Sequence, residues 1–405
     1  MFKDEELQAD GLWVPSDLLN PNDGGSEGPR LSIENLPLMD FGYGPTNPYA
    51  RAIPSNLLVS LRLAYPTPPL TTRLGSLKRL LLQSPRLEVL YYQDRGQGTQ
   101  FRFLDGERLP PLQELTLKSY DWHHSADEVR QHWDFSRLRL LELISMPTFN
   151  FLDSICFDDM KNLHTLHVED WSTHLPDRKT EATHKLYTLI KDHTRELESL
   201  EITCHTQSFA VDAILKHRST LQRLKFRDHV GFGEEDRPCP VLDLTNLALL
   251  GHSLAGLSSL ELDMDLYKYS ADQLIQTLCQ FPKLDTLTLH MQTALQHLHT
   301  VEAGTDPDHS TAGTLFSLLL HYRSLIHPDR PWKKVTLNVG GWKRVMVRRV
   351  GLRWRLLGQS GLHAERCFVL DKEGDQYGIR EERAVEAWSR RVTPELEDSE
   401  GEEET

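Results

Sequence analysis

Nineteen histidines and 59 acidic residues in a chain of 405 invite a search for metal or acid–base chemistry. The spacing argues against it. His123 and His124 are adjacent, so they cannot share one face of a strand or helix. His164 and His167 share one strand phrase but have no Cys or carboxylate pattern at zinc spacing. Gly231-Phe232-Gly233 runs into Glu234-Glu235-Asp236, the wrong charge to cradle a phosphate, and no Gly-Lys-Ser/Thr follows. Cys204 and His205 are neighbours in sequence, which does not make a catalytic pair, and there is no G-x-S-x-G. The five cysteines (Cys156, Cys204, Cys239, Cys279, Cys367) are widely spaced and never C-x-x-C, as in a reduced intracellular protein. The expectation is a non-enzyme with no catalytic residue, metal ligand or cofactor.

What does repeat is a phrase. Leu112-Gln113-Glu114-Leu115-Thr116-Leu117 reads L-x-x-L-x-L. The phrase returns from Leu138, Leu163, Leu197, Leu221, Leu257 and Leu284, with weaker copies from Leu58, Leu87 and Trp332. Six of the nine intervals between starts fall between 24 and 29 residues. Leucine-rich repeats recur at roughly 20–29 residues, each with a short strand followed by a helix or 3₁₀ turn. The predicted fold is α/β: a leucine-rich-repeat solenoid with a curved parallel sheet on its concave face and helices and turns on the convex face.

In a strand the leucines enter the core and the alternate residues form a ladder on the other face. The third, fifth and seventh positions of the phrases place Glu114, Thr116 and Lys118 on that ladder, then Glu142, His167, Glu169 and Glu201. A wholly basic rung follows, Arg223, Lys225 and Arg227, and then Glu261 and Asp263. These are the candidate protein-binding residues; the competing reading is ordinary cross-strand ion pairing, worth about 0.2–1 kcal/mol per pair. Where strands end, Tyr120, Trp122, Trp171 and His229 stand beside aspartates. They are candidate anchors, because Tyr and Trp are enriched in binding hot spots. The plainer reading has each Asp capping a turn while the ring covers the core edge.

Four regions are expected. Residues 1–57 hold seven prolines and six glycines without sustained periodicity and read as an irregular segment. Residues 58–340 carry the repeats. In 341–390 an amphipathic helix marked by Met346, Val350, Trp354 and Leu357, with a hairpin across 366–380, should close the array. Residues 391–405 are an acidic, solvated tail. Between the phrases, helices are predicted near 185–190, 209–215 and 314–320, and Ser270-Ala271-Asp272-Gln273 is a capping box for another.

Net charge is −14, so attraction to nucleic acid or anionic membrane is not expected. The one basic stretch interleaves Lys343, Arg344, Arg348, Arg349, Arg353 and Arg355 with Trp342 and Trp354. A nucleic-acid site in 343–355 is the remote alternative. No window approaches the ~18 apolar residues of a membrane span, and Met1-Phe2-Lys3-Asp4-Glu5-Glu6 lacks the pattern of a signal peptide. A cytoplasmic or nuclear location is expected.

Several phrases resemble a family. L-Q-E-L-T-L-K-S-Y-D-W (Leu112–Trp122), H-W-D-F-S-R-L-R-L-L-E-L (His132–Leu143) and F-R-D-H-V-G-F-G-E-E-D (Phe226–Asp236) are among them. With N-V-G-G-W (Asn338–Trp342) and A-E-R-C-F-V-L (Ala364–Leu370), they are similar to the leucine-rich-repeat region of F-box-like proteins of filamentous fungi. The resemblance implies a substrate receptor of a cullin–RING ubiquitin ligase, whose repeats select a protein target and whose F-box grips the Skp adaptor. Residues 1–57 do not carry a recognisable F-box, so the motif is expected to be lost or to stand upstream of Met1. A free-standing repeat scaffold or inhibitor without a ligase role is the alternative.

Overall fold

The alternation of the repeated phrase becomes ten strands: β2 (Leu58–Ala64), β3 (Val89–Gln93), β4 (Glu114–Lys118), β5 (Leu140–Met146), β6 (Thr165–Asp170), β7 (Ser199–Cys204), β8 (Arg223–Asp228), β9 (Ser259–Met264), β10 (Thr286–Met291) and β11 (Lys334–Val339). Three more strands were less legible or lie beyond the repeats: β1 (Leu31–Glu34), β12 (Arg366–Glu373) and β13 (Gln376–Glu382). A computed structural model describes residues 30–34, 53–64, 74–94, 98–170, 176–232, 238–297, 305–341, 365–373 and 376–382. The closing helix read from Met346 to Leu357, the acidic tail and most of residues 1–57 lie outside them. The protein is mixed α/β with a mostly parallel sheet, and it divides into two compact units, Met1–Arg223 and Leu224–Thr405.

In the first unit β1 to β7 run parallel, side by side in chain order. The pairing from β2 to β7 holds equivalent phrase positions opposite one another. Leu61, Leu90, Leu115, Leu141, Leu166 and Leu200 form one row. Leu63, Tyr92, Leu117, Leu143, Val168 and Ile202 form the next, and no member of either row is more than 1% exposed. Burying a side chain of this size contributes about 1.5–3 kcal/mol.

The second unit repeats the arrangement. Strands β9, β10 and β11 are parallel, and the hairpin β12–β13 joins antiparallel at the edge of β11. The leucine row runs Leu260, Leu287, Val335, Leu370, and the next runs Leu262, Leu289, Leu337, Phe368. Arg366, 4% exposed, fastens the hairpin: its guanidinium is shared by Asp306 (2.6 and 2.9 Å) and Glu381 (2.7 and 2.8 Å).

Helices pack on the side to which the leucines point. Leu186 of Pro176–Thr188, Ile275 of Ala271–Leu278, and Leu315 and Leu319 of Pro307–Ile326 are all buried. The last helix is longer than the 314–320 expected, because Asp306 caps it by accepting from His309 N at 3.0 Å and Pro307 opens its first turn. Near its end Arg323, 2% exposed, donates to the carbonyls of Phe281, Leu284 and Arg330 and lies over the Trp332 ring. The helix expected at 209–215 is shorter, Asp212–Leu215. The helix after Ser270 is present at Ala271–Leu278, but Ser270 makes no side-chain cap hydrogen bond. A complete capping box forms instead at Ser125 and Glu128, ahead of Ala126–His132.

These rows predict a strong asymmetry between neighbouring residues. Leu166→Ala should lower the unfolding free energy by about 2–5 kcal/mol, because it opens a cavity between stacked leucines. Thr165→Ala, one residue earlier on the other face, should change it by less than about 1 kcal/mol. Urea unfolding followed by circular dichroism measures both.

Candidate functional site

The strand pairing that aligns the leucines also aligns the residues between them. On the polar face of the first unit the fifth positions run Arg62, Tyr91, Thr116, Glu142, His167, Glu201 across six strands. The seventh positions run Ala64, Gln93, Lys118, Ile144, Glu169, Thr203. Glu114, on the third-position row, sits diagonally from Arg62, at 3.7 Å. Lys118 lies over the Tyr91 ring, 5.1 Å from its centroid.

His167 is the centre of this face. Its Nδ1 is 3.6 Å from Glu201 and 3.9 Å from Glu142, and its Nε2 is 3.3 Å from Glu169. Glu142 also accepts from Thr116 Oγ1 at 3.0 Å. Burial of the ring opposes its charge, but the hydrogen bonds to Glu142 and Glu169 and the Glu201 carboxylate outweigh burial and raise its pKa to about 9. His167 is therefore an imidazolium at neutral pH. Its bond to His167 also holds the Glu142 carboxyl below the usual range.

The second unit uses its ladder differently. Arg227 donates twice to Asp263 Oδ1, at 3.0 and 2.9 Å, and the backbone N–H of Asp228 donates to Asp263 Oδ2 at 2.8 Å. Glu261 meets His290 Nε2 at 2.8 Å and Lys225 at 4.0 Å. Burial works to raise the Glu261 pKa, but the His290 hydrogen bond and the Lys225 and Arg227 charges overcome it and hold it at about 2. Burial, with the Arg227 charge, lowers that of His290. Arg223, at the start of β8, is exposed. At the hairpin end of the same face Cys367 and Val369 are each 1% exposed, so the polar ladder stops there.

Thus Glu114, Lys118, Glu142, His167, Glu169 and Glu201 share one face of the first unit, and Lys225, Arg227, Glu261 and Asp263 share one face of the second. Most are engaged with each other rather than extended into solvent. The same counting along the phrases also reaches Arg62, His290 and Asn338, which the sequence reading left out. His290 and Asn338 are the seventh positions of the phrases from Leu284 and Trp332, paired across β10 and β11.

The strand-exit aromatics are corrected. Tyr120 and Trp122 are 1% and 0% exposed, so neither can anchor a partner. They belong to a buried cluster: Tyr120 OH accepts from Phe101 N at 2.8 Å and meets His124 Nε2 at 3.0 Å, and Trp122 Nε1 donates to Ser154 Oγ at 2.9 Å. Ser119, at a positive φ of 56°, turns the chain so that Tyr120 enters the core. Trp171 lies outside the described residues, and His229 is half-buried. The aspartates at these exits do structural work. Asp170 accepts from Thr148 N at 3.2 Å, and Asp228 accepts from Val230 N at 3.0 Å.

Among the described residues, no group of three or more His, Cys, Asp or Glu is placed to hold a metal ion, and no helix is long and apolar enough to cross a membrane. A surface cleft of about 610 Å³ carries His193 against Asp158 at 2.9 Å and Lys216 donating to Thr194 O at 2.7 Å. The chain matches no protein-family model, and no curated protein matches it significantly.

The histidines give a direct check. A titration followed by NMR should place His167 near pH 9, His290 below 6.5, and His124 near 4, the last because burial disfavours its charged form. His167 has a folded pKa above the unfolded value of about 6.5. Its contribution is fully present below pH ~6.5 and is lost as pH rises through about 9. The fall in unfolding free energy over that window, of order 2–3 kcal/mol, should be largely absent in His167→Gln.

Proposed function

We propose that this chain is a leucine-rich-repeat solenoid acting as a non-enzymatic protein-recognition module. Its polar ladder forms the concave binding face. The observation that carries the reading is the in-register alignment of the third, fifth and seventh phrase positions across β2 to β7. A rigid sheet face whose side chains have no core duty is the surface such arrays use for partners. The preferred setting is target recognition within an F-box-type ubiquitin-ligase substrate receptor in the cytoplasm or nucleus, and it rests on the family resemblance of the repeats.

Two readings compete with the ligase setting. A free-standing scaffold or inhibitor would use the same face without an adaptor. A nucleic-acid site in 343–355 falls outside the described residues, and the net charge of −14 weighs against it.

Two measurements separate these. A photo-crosslinking residue placed at Thr203 or Gln93, on the ladder, should form adducts with a protein partner in cells. One placed at Gln276, on the exposed side of a helix, should not. Adducts from Gln276 alone would overturn the assignment of the face. Co-purification with the Skp adaptor then decides the setting: capture supports the ligase role, and its failure leaves the free-standing scaffold.

A further inference from the structure

A sheet that ends in an unpaired strand presents a row of backbone N–H and C=O groups to any other chain. Strand β13 is such an edge. It pairs with β12 on one side, and among the described residues no strand lies on the other. Edges are commonly blunted by proline, by a bulge or by free charges. β13 has no proline, and its register with β12 runs unbroken from Glu373↔Gln376 to Cys367↔Glu382. Its charges fold back instead of standing over the edge. Arg380 donates to Asp371 at 2.8 Å and to Glu382 at 2.6 Å, and Glu381 accepts from Arg366.

The core also runs out at this strand. Along the row Leu287, Val335, Leu370 the exposures are 0%, 0% and 1%, and the next member, Ile379, is 50% exposed. A half-exposed isoleucine at the end of a buried aliphatic row gains burial from one more strand with an apolar residue at that position.

The strand that fits is β13 itself. Gln376–Glu382 has seven residues with Ile379 at the midpoint, so a two-fold axis at Ile379 aligns two antiparallel copies over their full length. Gln376 then faces the partner's Glu382, Tyr377 the partner's Glu381, and Gly378 the partner's Arg380, with the two Ile379 side chains together. No like charges meet in this register. Gly378 leaves room for the long arginine, because a Cβ placed there would have no atom within 4 Å. A step either way shortens the pairing and separates the isoleucines, and a step toward Arg380 also sets two guanidiniums against each other.

We infer that the β13 edge is a self-association surface: two copies of this chain pair antiparallel along Gln376–Glu382, about a two-fold axis at Ile379, and join their sheets. The inference is independent of what the polar ladder binds. A single strand pair is a small interface, so the dimer is weak and concentration-dependent.

Sedimentation velocity of the full chain, carried to high micromolar concentration, should show a reversible monomer–dimer equilibrium. Ile379→Lys, at a half-exposed position, should keep the circular dichroism of the wild type and weaken the dimer at least about tenfold. Cysteine pairing reads the register, in a Cys156→Ser background that removes the exposed native thiol. Ile379→Cys should form an intermolecular disulfide under mild air oxidation, because facing Cβ atoms lie about 4.5–5.5 Å apart. Gln376→Cys should not link to itself, since its two copies stand roughly 20 Å apart along the pair, but it should link to Glu382→Cys in a mixture. A monomer at every concentration, as when the chain's own residues or another protein cover the edge, overturns the inference. So does a Gln376→Cys chain that links to itself as readily as Ile379→Cys.

Discussion

Register between parallel strands is the constraint on which the rest depends. Side chains alternate faces with a period of two, so a slip of one residue between β4 and β5 would drive Glu142 into the core and expose Leu141 and Leu143. The buried rows make that slip prohibitive, because each leucine is packed against its equivalents on neighbouring strands. The polar rows follow automatically. Nothing in Glu142, His167 or Glu201 needs to specify their alignment; the leucines beside them have already done so. The chain between phrases is left unconstrained in length, and an interval as long as that from Leu284 to Trp332 is taken up by the Pro307–Ile326 helix on the leucine side.

Charge on the polar face is organised locally. The basic rung of β8 does not stand as an isolated patch. Arg227 is committed to Asp263, and Lys225 lies within reach of Glu261. Asp263 has a 2% exposed side chain and takes three donors, which a buried carboxylate requires. At the strand exits the buried aspartates Asp94, Asp170 and Asp228 stand at the eighth position of their phrases. Asp170 and Asp228 accept backbone N–H groups there, satisfying donors that the turning chain would otherwise bury unpaired.

The strand positions were legible because they depend on a local period, and all ten phrases are strands. β1 (Leu31–Glu34) falls in the segment read as irregular: four residues with a burial pattern of alternating half-exposure carry little periodic information, and pairing with β2 is what makes β1 a strand. The helix start at Ser270 is where the sequence places it, but its capping box does not form. Ser125 and Ser270 both begin an S-x-x-E/Q pattern, but only Ser125 has the extended backbone that turns its hydroxyl to the N3 amide, and sequence does not report φ and ψ. The aromatic corner misled for a related reason. A Tyr or Trp after a strand can face solvent or core, and the positive φ of Ser119 is what sends Tyr120 inward. His290 and Asn338 were within reach of the same counting that found Glu261, whereas the protonation of His167 was not. It needs three carboxylates from three strands brought within 4 Å.

That last difference bears on what a ladder of this kind can do. Residues spaced 25 to 34 apart in sequence meet within one side-chain length, so Glu142, His167 and Glu201 act as one electrostatic unit. The sheet beneath them fixes their backbones, which lowers the ordering cost of meeting a partner. An internal imidazolium limits the mutual repulsion of the glutamates while they are unoccupied, and it does so only while protonated. Raising pH through about 9 would remove that cation and leave the carboxylates facing one another. The face is thus stable when empty because it carries its own cation.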